Sequence, residues 1–549
     1  MNDSEKVTYF AETDSRGERK KFGIKSADRS KHVYVIGKTG MGKSTLLENM
    51  AVQDIQNGNG LVFIDPHGGT AEKLLEYVPE ERVKDVLYFA PFDMDNPVAF
   101  NIMEDVGAEK RHLVVNGLMS VFEKIWEDAW SARMAYILQN TLLALLEYPG
   151  ATLLAVNRMY TDKEFRNKVV ANVTDISVKS FWVDEYAKYT DKYAQEATPA
   201  IQNKIGQFAG NPLIRNIIGQ PKSSFDLREI MDNKKIMIVN LSKGRVGEGN
   251  ARLLGSMLVT KIYLAAMSRA DESAASLAKL PQFYLFVDEF QSFADKSFAD
   301  ILSEARKYKL NLTIAHQYIE QMEEEVRDAV FGNVGTMITF RVGAYDAEVL
   351  EKEFAPVFTA EDLVNLGLRQ IYLKLMIDSV TSQPFSASTL PPIKEPETSY
   401  VQEILYSSRK AYARPRKEVE QAIMDWHGEN KAGNGASPNP EPKPLFKKGE
   451  PKAIDTRSLA SEKPKIAPKL VPKPPILGPK EPQKVSLEAL HKKTNNQRKP
   501  DEKNVSALRD ALKAVVGSEP KPEPKHEPKK AEPKKGPSSE ELKKLLGVE

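Results

Sequence analysis

Cysteine is missing from all 549 residues, which excludes disulfides, thiolate zinc sites and cysteine nucleophiles and suits a reducing cytoplasm. Unbroken apolar runs of membrane-spanning length are missing too. The most apolar region, residues 134–156, is interrupted by Gln139, Asn140, Glu147 and Pro149-Gly150, so it reads as a buried helix pair. Residues 1–31 are polar and mixed in charge, unlike a secretory leader. The expectation is a cytoplasmic protein with no direct membrane insertion. Strong net charge is also absent. The balance is +2, divided as about −9 over residues 1–400 and about +11 over residues 401–549. A mildly acidic body excludes a broadly basic nucleic-acid binder and confines any such contact to a local groove or pore. No base-reading motif is visible.

What is present begins with Gly37-Lys38-Thr39-Gly40-Met41-Gly42-Lys43-Ser44, followed by Thr45. It fits the phosphate-cradling loop G-x-x-x-x-G-K-[ST]. An apolar run, residues 32–36, precedes it as a strand, and residues 44–53 follow as a helix. Glycines let the backbone wrap phosphates so that N–H groups converge at a helix N-terminus. Lys43 would reach the β- and γ-phosphates, and the Ser44 hydroxyl would hold Mg²⁺. The expected ligands are therefore ATP and Mg²⁺.

Residues 7–12 and 21–25 read as a hairpin covering one edge of a main sheet. Residues 61–66 and 86–91 are continuous apolar runs closed by turn residues, as in central strands of a parallel sheet. With a helix-like stretch at 70–75 between them, this is β-α-β-α-β punctuation and predicts a three-layer α/β core. From 108 to 227 the periodicity is helical throughout, predicting an all-α insertion. Its aromatics Trp126, Trp130, Trp182, Tyr186 and Tyr189 read as core before base-stacking platforms.

The core resumes with a strand at 235–240 and a long helix to about residue 268. The apolar run 283–287 then ends in Asp288-Glu289. A carboxylate at the tip of a buried strand can hold Mg²⁺, and a second can polarise the attacking water. Asp288 is assigned to Mg²⁺ and Glu289 to general base. A helix at 298–308 and a strand at 310–317 follow. Gln317 ends that strand where an amide could orient water or sense the γ-phosphate; His316 beside it reads as structural. Strands are also expected at 334–342 and 370–377. Arg306 and Arg341 are the two candidates for stabilising charge on the transferring phosphoryl group.

The expected domains are 1–107 (hairpin and first part of the core), 108–227 (all-α), 228–395 (second part of the core), 396–428 (two closing helices) and 429–549. The last is rich in Pro, Lys and Glu and reads as a disordered basic tail. Three amphipathic islands within it, 485–493, 505–516 and 538–546, read as docking peptides.

With these residues placed, the chain resembles the HerA/FtsK group of P-loop ATPases, and most the conjugative coupling-protein and type IV secretion branch. The resemblance rests on Ile36-Gly37-Lys38-Thr39-Gly40, Asp65-Pro66-His67-Gly68, Val287-Asp288-Glu289-Phe290 and Gln317, and covers roughly residues 20–390. It implies a RecA-like core, a homo-hexameric ring with ATP between subunits, DNA threaded through the pore, and Arg306 at the position of the trans-acting arginine, in preference to Arg341. Coupling proteins usually begin with transmembrane helices and this chain shows none. A membrane-protein or relaxosome-type partner, reached through the tail, is then the expected link to the inner face of the membrane. Met41 stands where a small or hydroxylated residue is more usual, with little effect expected because loop contacts there are backbone. The functional expectation is an ATP-driven motor translocating DNA. ATP-driven protein secretion or pilus assembly, and a nucleotide-gated scaffold, are the alternatives.

Overall fold

The structure is a computed structural model that describes residues 5–14, 18–189 and 198–428. The expected tail motifs lie outside the described residues.

Eleven strands form one sheet. In chain order they are β1 (Val7–Glu12), β2 (Lys21–Lys25), β3 (Val33–Ile36), β4 (Gly60–Asp65), β5 (Val86–Phe89), β6 (Ile236–Asn240), β7 (Phe283–Val287), β8 (Leu310–His316), β9 (Thr336–Thr339) and β10 (Gln370–Lys374). A two-stranded hairpin, β11 (Met376–Ile377) and β12 (Val380–Thr381), stands apart, and β13 (Phe385–Thr389) rejoins the main sheet. The spatial order is β2-β1-β13-β10-β9-β3-β8-β7-β4-β6-β5. From β9 to β5 every pair is parallel. From β9 through β10, β13 and β1 to β2 every pair is antiparallel, so the N-terminal hairpin does cover one edge.

The continuous apolar runs follow from burial on both faces. Successive side chains of a strand point to opposite sides. Val33, Val35, Leu61, Phe63 and Phe286 enter one core with Leu47 and Met50 of the helix Lys43–Gln56. Tyr34, Ile36, Val62, Ile64 and Val287 enter the other, under the helix Glu248–Met267.

Among the described residues between β5 and β6 there is no strand, and the helices Arg111–Ile125, Ala132–Leu146, Lys163–Asn172 and Pro199–Gly210 lead the region. It shares its buried cluster with the second face of the sheet, so this α layer is welded to the core. Trp126, Trp182 and Tyr186 are buried there, in keeping with the core reading of the aromatics. Two helices close the described chain. Val401–Tyr412 packs against β5, where Ser408 Oγ accepts the Tyr88 N–H at 2.9 Å, and Arg416–Gly428 packs against the α layer.

Three boundaries differ from the sequence reading. The strand expected at 334–342 is only Thr336–Thr339, because residues 340 and 341 leave it to brace the phosphate loop. The strand expected at 370–377 breaks after Lys374, and Met376 turns into the small hairpin. The helix expected at 298–308 is α-helical over Ser297–Glu304 and tightens to a 3₁₀ turn over Ala305–Tyr308, closed by Lys309 at φ 58°.

Candidate active site

β3 sits between β8 and β9, with β7 one strand further out. Parallel strands deliver their C-terminal ends to one edge. Residues 37–42, 288–289, 317 and 340–341 therefore all emerge there.

The loop between β3 and its helix is built as its glycines require. Gly40 and Gly42 have φ of 79° and 116°, left-handed conformations that side chains resist. Neighbouring strands hold it from both flanks: Gly37 N–H donates to His316 O at 3.3 Å, and Lys38 N–H to Arg341 O at 2.8 Å. Lys43 is buried, and its Nζ donates to Gly37 O at 2.6 Å and Lys38 O at 3.2 Å. Burial lowers its pKa, partly offset by Glu289 and Asp288. An ammonium folded back on the loop's own carbonyls can turn to phosphate oxygens without a change of fold.

Asp288 is buried at the tip of β7, and its Oδ2 accepts the Ser44 hydroxyl at 2.8 Å. Burial raises its pKa, opposed by the Ser44 hydrogen bond. A desolvated carboxylate facing a hydroxyl fits a hard cation that takes few protein ligands and completes its shell with phosphate and water. No group of three or more potential metal ligands occurs among the described residues, as that mode of binding permits.

Glu289 is held at φ 50°, unusual for a side-chain-bearing residue and costly unless its surroundings enforce it. Both carboxylate oxygens are gripped. Gln317 Nε2 donates to Oε1, and Gln291 Nε2 donates to Oε2 at 2.6 Å. Gln317 reaches the other way as well, its Oε1 accepting the Thr39 hydroxyl at 2.9 Å. One amide thus connects the candidate base to the phosphate loop.

Gly37, Lys38, Thr39, Gly40, Met41, Gly42, Lys43, Ser44 and Thr45 lie together with Asp288, Glu289 and Gln317. Arg341 is exposed beside the loop and makes no ion pair among the described residues. Arg306 is elsewhere. It precedes Leu310, the first residue of β8, whereas the site lies past His316, its last. At about 3.3 Å per residue the strand separates the two by roughly 20 Å. His316 is buried and held well below its usual pKa, to about 3, by desolvation and then Lys43. Its Nδ1 lies 3.1 Å from Tyr34 Oη, which ties β8 to the neighbouring β3.

The sequence reading missed two contributors, Gln291 and Phe340, and named a third, Asp65, without a role. Gln291 orients Glu289 and is signalled only by its spacing, two residues on. Asp65 accepts the N–H groups of His67 (2.7 Å) and Ala71 (2.9 Å), fixing the turn after β4. Phe340 lies under the glycines: a Cβ on Gly37 would come within 2.5 Å of it. One expectation is corrected. Met41 is not merely backbone, since its side chain is 3% exposed and joins the apolar cluster containing Leu46 and Phe340.

A sequence profile of the family described as "Type IV secretory system Conjugative DNA transfer" matches residues 5–345. Among solved structures, the fold is similar to that of the plasmid coupling protein TrwB. Its complex with the non-hydrolysable ATP analogue ADPNP superposes with a TM-score of 0.51 at 15% identity, covering 72% of this chain and 90% of that one. The unbound monoclinic form of TrwBdeltaN70 gives 0.50 at 14%, covering 72% and 91%. The complex with ADP and Mg²⁺ gives 0.50 at 15%, covering 73% and 91%. No curated protein sequence matches the chain.

Proposed function

The chain belongs to the type IV secretory system conjugative DNA-transfer family, and from that premise we propose that it is an ATP-driven ring motor that translocates DNA. The observation that carries the reading is the meeting of two halves at one sheet edge: Ser44 on Asp288 at 2.8 Å, and Glu289 held between Gln291 and Gln317.

ATP enters the loop of residues 37–45, and its phosphates replace the carbonyls of Gly37 and Lys38 as partners of Lys43. Ser44 and Asp288 are the residues that would hold Mg²⁺. Such an ion would supply positive charge against the charge that develops on the transferring phosphoryl group. Glu289 takes the proton of the attacking water, and its two amide partners keep the carboxylate aimed. Gln317, tied to Thr39, registers whether the γ-phosphate is present. Among the described residues of one chain, Arg341 at the rim is the arginine placed to join Lys43 in stabilising the outer phosphoryl oxygens. Arg306, at the opposite edge of the sheet, serves a neighbouring subunit's site if the chains form a ring, and a homo-hexamer is the assembly proposed.

DNA is the cargo, gripped by its phosphates inside the pore, because the body is acidic overall. No helix among the described residues is long and apolar enough to cross a membrane. The basic residues beyond 428 then recruit a membrane-protein or relaxosome-type partner, and the motor works at the inner face of the membrane.

The test is the rate of ATP hydrolysis with and without single- and double-stranded DNA, for wild type and Glu289→Gln. DNA should stimulate the wild type, and the variant should lose about a hundredfold or more while still binding ATP. A rate indifferent to DNA would remove the motor reading, and full turnover in the variant would remove Glu289 as base.

A further inference from the structure

The residues named so far account for the phosphate end of the nucleotide and leave its base end without a receiver. Their placement says where that receiver must be. Asp288, Glu289 and Gln317 fix the γ-phosphate on the β7–β8 flank of β3. The nucleoside must leave the loop on the other flank, over β9 and β10. Because β10 is antiparallel to β9, with Tyr372 opposite Thr339, its first residues rise at the same edge as the loop. Residues 366–369 therefore stand above Phe340 and the far end of the loop.

Two of them have features that the fold does not use. Leu368 is 68% exposed, a large apolar side chain displayed at a polar edge. Arg369 is exposed, and its guanidinium makes no hydrogen bond or ion pair among the described residues. Its backbone, by contrast, is tightly held in an unfavourable conformation. Its φ is 62°, its N–H donates to Met41 O at 3.4 Å, and its carbonyl accepts the Thr389 N–H at 2.8 Å. Gln370 Oε1 pins the preceding turn by accepting the Gly367 N–H at 2.7 Å. The stem of Arg369 lies against the loop: a Cβ on Gly42 would be 3.9 Å from Arg369 Cγ. Left-handed backbone at a side-chain-bearing residue is strained and gathers at ligand clamps.

We propose that Leu368 and Arg369 are the nucleoside clamp of this site, Leu368 packing on the purine face and Arg369 bonding the ribose hydroxyls. The proposal rests on the nucleotide-binding reading of the loop and adds to it the residues that distinguish a nucleotide from a bare polyphosphate. It also explains the Met41–Arg369 backbone bond, which locks the clamp to the loop.

The test is calorimetric binding of ATP, ADP and inorganic tripolyphosphate, each with Mg²⁺, to wild type, Arg369→Ala, Arg369→Gly, Leu368→Ala and Lys43→Ala. Arg369→Gly suits the left-handed backbone and keeps the comparison valid if Arg369→Ala folds poorly. The Arg369 variants should lose about tenfold or more in affinity for ATP and ADP, with Leu368→Ala losing less. Tripolyphosphate affinity should not change in any of these three, whereas Lys43→Ala should weaken ATP and tripolyphosphate together. Equal losses for ATP and tripolyphosphate in the Arg369 variants, or none for either, would overturn the clamp and leave the loop assignment intact. Failure of the wild type to bind ATP would overturn the loop assignment, and the clamp with it.

Discussion

His32, one residue before β3, shows how a buried side chain sets the acid tolerance of the loop's own strand. Its Nδ1 accepts the Leu312 N–H at 3.1 Å and its Nε2 faces Leu302 O at 3.2 Å, which fixes the neutral tautomer. Desolvation lowers its pKa from the usual value to about 4, and Arg306 adds to this. Since the folded value is depressed, the unfolded chain binds the proton more readily. The contribution of His32 is complete above about pH 6.5 and is lost progressively as pH falls towards 4. Between pH 7.5 and pH 5 it should cost about 2 kcal/mol. Denaturant midpoints at the two pH values should show that loss in wild type and a smaller one in His32→Asn, a residue tolerant of the φ of 64° found here. The chemistry at this scale was partly legible beforehand. Asp288, Glu289 and Gln317 sit just past strand ends and Lys43 and Ser44 at a helix start, where pattern and chemistry coincide. Gln291 and Arg369 do not, because their roles come from a turn and a crossing that only the three-dimensional register creates.

Among the elements, the inserted helices meet the core closely where Gly117 of Arg111–Ile125 faces Thr260 of Glu248–Met267. A Cβ on Gly117 would lie 2.4 Å from Thr260 Cγ2. Gly117→Ala should therefore destabilise by about 1–3 kcal/mol despite the better helix propensity of alanine. Thr260→Ala in the same chain should restore most of the loss, and thermal denaturation of the three variants checks both. An unchanged melting temperature in Gly117→Ala would mean the two helices can separate. The parallel strands were readable from their continuous apolar runs, because both of their faces are buried. β13 was not: its sequence, Phe-Ser-Ala-Ser-Thr, is small and polar, and it becomes a strand through pairing with β1 and β10. The break after Lys374 was hidden for a related reason, since the apolar run continues across it and only tertiary pairing ends the strand.

For the whole molecule, the distance between Arg306 and the loop of its own chain turns the ring into a testable statement. Rings mixed from Arg306→Ala and Lys43→Ala subunits should hydrolyse ATP faster than either variant alone. Some interfaces then join an intact loop to an intact arginine. Steady-state hydrolysis at varying mixing ratios measures this, and activity equal to the weighted sum of the two variants would place Arg306 outside the reaction. The acidic body and basic tail were evident from charge alone, while the ring came only from the family resemblance, because the one residue proposed to act across subunits, Arg306, carries no motif of its own. The most direct measurement for the account as a whole is displacement of streptavidin from biotin-ended DNA, single- and double-stranded, with ATP present. Wild type should strip streptavidin from one of the two substrates only when ATP can be hydrolysed, and Glu289→Gln should bind that DNA without clearing it. DNA-stimulated hydrolysis with streptavidin left in place on both substrates would contradict a translocating motor.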